Sequence, residues 1–381
     1  MKSFEYQRTN RFFAQCPGKM ENIAMEEIKE YGVKNLKKSY RGFWFKGKLE
    51  HLYRINFRAR LVSRILAPLI SFNCHSSRYL YNTAIKLDWT KLLSIDNTFA
   101  IFSNVSNSKI KHSHYATQVL KDAIADHFNN KFDKRPNVDK KNPDIWINLF
   151  IHNNYARISF DTSGGPLHKR GYRKSSVTAP MQEILAAAII RLSGWKGDKI
   201  LFDPMCGSGT LLSEALLDYC RLPSALNRTS FGFEHLPDFK PEIWKKIKND
   251  TERLSRKLPK SLIFGNDIDK NSVETARQNI NSLPYGKNIS LTNDDFRNHS
   301  GFKDSIIVTN PPYGIRLGNK QKIKKLYNDF GDYLKNRCKG STAFIYIGDR
   351  DMISELRLRP SRKIPLVNGN IDGRLVKLKI F

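Results

Sequence analysis

The chain has 381 residues, 40% hydrophobic and 27% charged, a composition ordinary for a globular protein and long enough for two or three cores. No apolar stretch approaches the ~20 residues of a membrane span, and the opening MKSFEYQRTNRFF lacks the continuous apolar core of a signal peptide, so a soluble cytoplasmic protein is expected. Lys and Arg number 65 against 36 Asp and Glu, a formal +29 spread evenly along the chain, and a polyanion, nucleic acid first, is the simplest partner for it.

Taken in order, residues 12–16 are a short apolar stretch, 21–31 have helical spacing with Gly32 as a C-cap, 41–45 (RGFWF) are strand-like, a second helix starts at 51–55, and 58–68 alternate as a half-buried strand. That rhythm predicts a small α+β unit over 1–70. A second unit follows: a strand at 98–105, a helix at 114–128, and strands at 144–151 and 155–161 joined by the turn His152-Asn153-Asn154. Residues 162–178 (TSGGPLHKRGYRKSSVT) are rich in Gly, Ser and cations and read as a basic connector. Beyond them strands and helices alternate: helix 180–192, strand 199–202, helix 210–220, strand 262–266, helix 270–282, strand 289–291, strand 306–309, helix 320–337 and strand 343–347. This predicts a doubly wound, mostly parallel sheet, with 374–380 as a last antiparallel strand at its edge.

Cys16, Cys74, Cys206, Cys220 and Cys338 are scattered and form no C-x-x-C pair, so neither a disulfide framework nor a zinc site is expected. His112 and His114 in HSHY have no carboxylate or cysteine at ligand spacing, and no metal is expected there.

The segment FDPMCGSGT (202–210) directly follows the first strand of the alternating region and opens a helix. Gly207 and Gly209 let the backbone turn sharply and a ligand lie against it, while the helix N-terminus offers free N–H groups. It lacks the G-K-[ST] of a triphosphate loop. Asp203 at the strand end instead favours a cationic or hydroxyl-bearing ligand, and S-adenosylmethionine, with its amino group, sulfonium and ribose diol, fits. Pro204, Ser208 and Thr210 complete the loop. Asp267, followed by Ile268, ends the second strand, where ribose hydroxyls are held in such folds. Asp295-Phe296 ends the third: a carboxylate to accept from an adenine amino group and a ring to pack on the base. Asp269 reads as a helix N-cap and Asp294 as a solvated turn. Asp267 lies much farther from the glycine loop than the usual ~20 residues, because a helix at 241–258 is inserted between them. Glu234 in FGFEH is therefore a rival ribose ligand; Asp267 is preferred because a clear helix follows it.

The fourth strand, SIIVT, runs into Asn310-Pro311-Pro312-Tyr313. An exocyclic amine on a nucleobase is a poor nucleophile because its lone pair is delocalised into the ring. An amide oxygen (Asn310) and a main-chain carbonyl can accept its two hydrogens and localise that pair. The prolines fix the turn and remove its own N–H donors, and Tyr313 offers a face for stacking. Alone, Asn-Pro-Pro is also a common strand-ending turn.

A glycine loop, two acidic strand ends and Asn-Pro-Pro-Tyr, in that order, resemble a class I S-adenosylmethionine-dependent methyltransferase of the amino-methylating type. With DTSG (161–164), LHKRGYR (167–173), APMQE (179–183), GNDID and TNPPYG (309–314), the whole chain is similar to the THUMP-domain RNA methyltransferases, and most of all to the bacterial family that methylates a guanine N2 amine of 23S rRNA. The resemblance implies a ferredoxin-like unit over 1–70, a THUMP RNA-binding domain over 71–162, a basic linker at 163–178, and a Rossmann-like methyltransferase domain with a mostly parallel seven-stranded sheet over 179–381. It implies direct methyl displacement at an RNA guanine N2 with S-adenosylmethionine as donor and no metal, Asn310 to Tyr313 at the reaction centre, and Arg170, Tyr172 and Arg173 as RNA contacts, with Arg316 a weaker one. The inserted helix also occurs in that family. Rival readings are a tRNA guanine-N2 methyltransferase, a DNA adenine-N6 methyltransferase, and a non-catalytic RNA-binding protein of the same fold. The two α+β units and the lack of a helix-turn-helix pattern argue against DNA; the intact glycine loop and Asn310 argue against loss of catalysis.

Overall fold

The computed structural model describes residues 3–175, 181–312 and 320–381. The chain divides into two compact units. The first holds the chain through Cys16, Ala24–Leu167 and Arg228–Lys248; the second holds Pro17–Ile23, His168–Asn227 and Asn249–Phe381.

In chain order the first part forms α1 (Glu5–Thr9), β1 (Arg11–Gln15), α2 (Glu21–Lys29), β2 (Leu36–Ser39), β3 (Gly42–Lys46), α3 (Leu49–Arg58), β4 (Arg64–Asn73), α4 (Ser77–Ala84), β5 (Thr98–Ser106), α5 (Ser113–Phe132), β6 (Asn137–Val138), β7 (Ile145–His152) and β8 (Tyr155–Asp161). The strands make one sheet in the order β2-β3-β1-β4-β8-β7-β5-β6. Alternation drives it: in β7, Ile145, Ile147, Leu149 and Ile151 are all buried, as are Ala156, Ile158 and Phe160 of β8. His152 pairs with Tyr155, so the hairpin turn is Asn153-Asn154, both at positive φ (51° and 58°), which asparagine tolerates better than most residues. The turn is thus one residue shorter than the expected His152-Asn153-Asn154. β4 pairs with β1 on one side and β8 on the other, so the expected boundary between 70 and 71 falls inside a strand of a continuous sheet.

The stretch 228–248, which includes the start of the inserted helix expected at 241–258, belongs to this first unit. Arg228 donates to the carbonyls of Ser163 (2.6 Å), Gly164 (3.1 Å) and Pro166 (3.0 Å). Phe231 and Phe233 stack on each other, Phe233 stacks on Tyr53, and Trp244 meets Phe57 and Phe231 edge-on. Gly232 permits this approach: a Cβ there would sit 2.0 Å from the Asp161 carbonyl oxygen.

The remaining elements are α6 (Glu183–Ser193), β9 (Leu201–Asp203), α7 (Thr210–Tyr219), α8 (Pro241–Arg253), β10 (Ile263–Asp267), α9 (Lys270–Asn281), β11 (Ser290–Asn293), β12 (Ile306–Thr309), α10 (Lys320–Arg337), β13 (Thr342–Ile347), α11 (Met352–Glu355), β14 (Arg362–Asn368) and β15 (Ile371–Lys379). Seven strands form the second sheet in the order β11-β10-β9-β12-β13-β15-β14. The first five are parallel; β15 runs antiparallel to β13 and to β14. The last strand is antiparallel as expected, but it is not the edge. β14 covers it, and Pro365 sits there without disruption because an edge strand tolerates a missing N–H. Phe202, Ile307, Ile345, Tyr327, Phe330 and Val376 lie in a large buried cluster that packs α10 against this sheet.

Candidate active site

Strand order places the site. β9 is flanked by β10 and β12, and β10 by β11, all parallel, so their C-terminal ends open on one edge of the sheet, where doubly wound folds hold ligands. Asp203 ends β9, Asp267 ends β10, Asp295 follows β11 and Asn310 follows β12. They line one cavity of about 550 Å³, within the ~300–1,000 Å³ of small-molecule sites. Pro204, Gly207, Ser208 and Thr210 from the loop, Ile268, Phe296 and Pro312 share its wall. Gly209 and Pro311 stand behind that surface, and Tyr313 and Arg316 lie outside the described residues.

The glycine loop needs its glycines for two reasons. Gly207 and Gly209 both have positive φ (53° and 76°). A Cβ on Gly209 would come within 3.0 Å of Ile280 Cδ1 and 3.1 Å of Ala276 Cβ, so α9 packs directly on the loop. A Cβ on Gly207 would meet nothing within 4 Å, which leaves open space over that backbone.

The cavity is acidic. Asp203 is 1% exposed, and burial pushes its carboxyl up to about 7; the nearby Asp267 adds to the rise, while the Met205 N–H (3.2 Å) opposes it. Asp267 accepts the N–H of Gly207 at 2.8 Å and of Asp269 at 3.0 Å, which ties the second strand end to the glycine loop. Burial raises its pKa too, those two bonds opposing. Asp269 caps α9 through Asn271 N and Ser272 N, as its sequence position implied, although it also lines the cavity. Two raised carboxyls side by side, with no cation bonded to either among the described residues, suit a cationic, hydroxyl-bearing ligand.

Asp295 accepts the N–H of Arg297 (3.0 Å) and one of its guanidinium N–H groups (2.7 Å), and Arg297 bridges on to Asp329 of α10 (3.0 Å). Phe296 is 4% exposed and packs edge-on against Phe330 and Tyr333, so most of its ring belongs to the core and only part faces the cavity. Ile268 is the exposed apolar surface, at 68%. Asn310 presents a buried Oδ1 with no hydrogen-bond partner among the described residues. A buried orphan acceptor carries a real cost and marks a place where a donor is missing.

Two expectations are corrected. Glu234 does not line the cavity: its Oε1 caps a local turn by accepting the Phe231 N–H at 3.1 Å, in the stretch that belongs to the first unit. Arg170 and Tyr172, expected on RNA, are 3% and 2% exposed. Both bind Glu214 of α7, Arg170 Nε at 3.4 Å and the Tyr172 hydroxyl at 3.1 Å. Arg173 also points inward, to Glu183, Ser208 and Thr210. These cations of the basic connector neutralise buried acids.

Several contributors carry no sequence signal of their own. Asn266 is fully buried and donates to the carbonyls of Pro204 (3.3 Å) and Asp294 (2.9 Å), joining the ends of three strands. Asn279 of α9 and Arg297 likewise take their roles only once the chain is folded. Among the described residues no cluster of His, Cys, Asp and Glu could hold a metal ion, and no helix is long and apolar enough to cross a membrane.

A seven-stranded sheet with one antiparallel strand inserted before its edge, a glycine loop after its first strand in sequence and acids at the next two strand ends define a class I methyltransferase domain. Comparison with known proteins agrees: residues 170–377 match the model described as RMKL-like, methyltransferase domain, residues 75–161 the THUMP domain, and residues 11–66 the RlmL ferredoxin-like domain. The chain belongs to this RMKL-like methyltransferase family. It is 32% identical over 374 residues to slr0064 of Synechocystis, provisionally named an RNA methyltransferase, covering 98% of this chain and 97% of that protein. It is 36% identical over 366 residues to the ribosomal RNA large subunit methyltransferase K/L of Vibrio campbellii, covering 94% of this chain but 52% of that protein, so it spans about half the length of the K/L relatives. The crystal structure of SMU.472 complexed with SAH, provisionally described as a methyltransferase, superposes with a TM-score of 0.86 at 26% identity, over 100% of this chain and 99% of that one.

Proposed function

We propose that this protein methylates the exocyclic N2 amine of a guanine in RNA, 23S rRNA first, with S-adenosylmethionine as donor, in the cytoplasm. The single observation that carries the reading is the buried Oδ1 of Asn310, without a hydrogen-bond partner among the described residues, on the wall of an acidic cavity. The residues lining the cavity fit the donor: Asp203 would hold its positive amino acid end, Asp267 its ribose diol and Asp295 its adenine amino group, with Ile268 and Phe296 beside the ring. When bound, that cofactor supplies an electrophilic methyl on a sulfonium. The chain supplies position and electrostatics. Asn310 Oδ1 would accept one hydrogen of the substrate amine and a carbonyl of the 310–312 turn the other, which would localise the nitrogen lone pair for the methyl the donor supplies. The base must leave its stack to reach such a site.

With Arg170 and Tyr172 committed internally, the RNA contacts belong elsewhere. Tyr79 on α4 and Tyr115 on α5 are 52% and 53% exposed, and the Tyr115 hydroxyl donates to Ser77 Oγ at 3.4 Å, which brings α5 up to the start of α4. Exposed Arg78, Lys109 and Lys111 lie beside them in sequence. Aromatic faces with cations are the ordinary means of holding unpaired RNA. The matched THUMP domain and the relatives named for ribosomal RNA support RNA over DNA.

The test incubates the protein with labelled S-adenosylmethionine and, separately, unmodified ribosomal RNA, tRNA and duplex DNA, then identifies the methylated nucleoside. N2-methylguanine in ribosomal RNA is the expected product. Label in tRNA or in DNA adenine N6 alone replaces the reading with the corresponding rival. Asn310→Ala should lower turnover by ~10²–10³-fold, as loss of a transition-state hydrogen bond does, and leave SAH affinity within about two-fold by calorimetry. Full turnover in that variant would remove Asn310 from the chemistry.

A further inference from the structure

The strap that leads into the second unit, His168–Ser175, runs against the glycine loop and closes on it through one guanidinium. Arg173 donates Nε to Glu183 Oε1 (3.0 Å), Nη1 to Ser208 Oγ (3.3 Å), and Nη2 to both the Met181 carbonyl (3.1 Å) and Thr210 Oγ1 (3.2 Å). Glu183 also pairs with its charge, Nη2 to Oε1, at 2.9 Å. Three of these partners, Met181, Ser208 and Thr210, line the cavity; Arg173 does not. The strap backbone adds a second tether. Asn279 Oδ1 accepts the N–H groups of Lys174 (2.8 Å) and Ser175 (3.2 Å), while its Nδ2 donates to the carbonyls of Ser175 (3.1 Å) and Ser208 (3.2 Å). Ser208 is therefore held at its side chain by Arg173 and at its carbonyl by Asn279.

Ser208 needs holding because it stands between two glycines of positive φ. Glycine permits the turn but contributes no side chain to fix it, so the loop's own residues leave it backbone freedom to lose on binding. A restraint imposed beforehand from outside removes part of that cost and appears as affinity. A planar guanidinium spans four acceptors on the α6 entry and the loop at once; an ammonium cannot.

We propose that Arg173 is a positioning residue that pre-sets the glycine loop for the cofactor, without touching cofactor or substrate. This rests on the reading of the cavity as an S-adenosylmethionine site, and the test separates the two. Arg173→Lys keeps the charge beside Glu183 and loses the fork. Full-length Arg173→Lys, Glu183→Gln and the parent are compared for SAH affinity by calorimetry, for hydrogen exchange of the 203–212 amides without ligand, and for KM and kcat with the acceptor RNA. In Arg173→Lys we expect SAH affinity and the KM for S-adenosylmethionine to worsen roughly ten-fold together, about 1.4 kcal/mol. Loop amides should exchange faster while those of β13 and β15 do not, and kcat at saturating donor should stay within about two-fold. Glu183→Gln, which keeps an acceptor for Nε, should stay close to the parent. Unchanged affinity and unchanged loop exchange in Arg173→Lys overturn the proposal while leaving the site intact. Faster exchange throughout the sheet, with affinity lost in proportion, overturns it in favour of a purely structural role. A parent protein that binds no SAH overturns the cavity assignment, and this proposal with it.

Discussion

Asp203→Asn has a consequence whose sign depends on what is bound. In the folded protein the Asp203 carboxyl is buried at the end of β9 and titrates at about 7; its ordinary value is 3.8. An acid whose folded pKa is raised works against folding as it ionises: the penalty is absent below about pH 4, grows through the window up to about 7, and is complete above it. A rise of that size, at ~1.36 kcal/mol per pH unit, sets a ceiling of about 4 kcal/mol. Asparagine keeps the shape and can still accept the Met205 N–H, but it never ionises. The ligand-free variant should therefore be more stable than the parent at pH 8, by up to about 4 kcal/mol, and the gap should close toward pH 4. SAH affinity at pH 8 should move the other way and fall ~10- to 100-fold, because a charge-assisted hydrogen bond worth ~1.5–3 kcal/mol is lost. In the parent, that affinity should also weaken as pH drops below 7 and the carboxylate is protonated. Urea denaturation of both proteins from pH 4 to 9, with calorimetry at pH 6 and 8, measures all of this. Denaturation curves that stay parallel across the pH range, or an unchanged affinity at pH 8, would refute the reasoning.

Other outcomes follow from the same geometry. Glu214→Ala leaves Arg170 buried without the carboxylate it binds and should cost ~3–5 kcal/mol of stability, measured by chemical denaturation. Gly209→Ala forces an L-residue to φ +76° and a methyl to 3.0 Å from Ile280, so it should cost ~1–2 kcal/mol and weaken SAH binding in calorimetry. The double variant Tyr79→Ala/Tyr115→Ala removes two stacking faces worth ~1–3 kcal/mol each; it should weaken RNA binding at least ten-fold in a filter or anisotropy assay and leave SAH affinity alone.

The parallel sheet was legible because its strands are short apolar runs followed at once by glycine, acid or Asn-Pro, so that strand and functional residue announce each other. Asp203, Asp267, Asp295 and Asn310 were readable one by one for that reason. What was not readable depended on partners far along the chain. Arg170 and Tyr172 read as RNA contacts on a basic connector until Glu214, more than forty positions later, supplies the buried charge they answer. Phe296 reads as a base-stacking ring, yet Phe330 and Tyr333 claim most of it for the core. β14, RKIPLVN, hides its strand character behind charges and a proline that only an edge accepts. Glu234 sits where an acidic strand end would be expected, and a three-residue cap uses it instead.

The stretch 228–248 has a practical and historical consequence. Phe231, Phe233 and Trp244 are encoded in the middle of the catalytic half but complete the aromatic core of the N-terminal half. A fragment beginning at His168 would carry those rings with no core to enter, and a fragment ending at Leu167 would lack them. Neither is an independent module. Recombination at the connector would separate these rings from the core they complete, so an exchange of the N-terminal half is expected to keep its fold only if residues 228–248 travel with it.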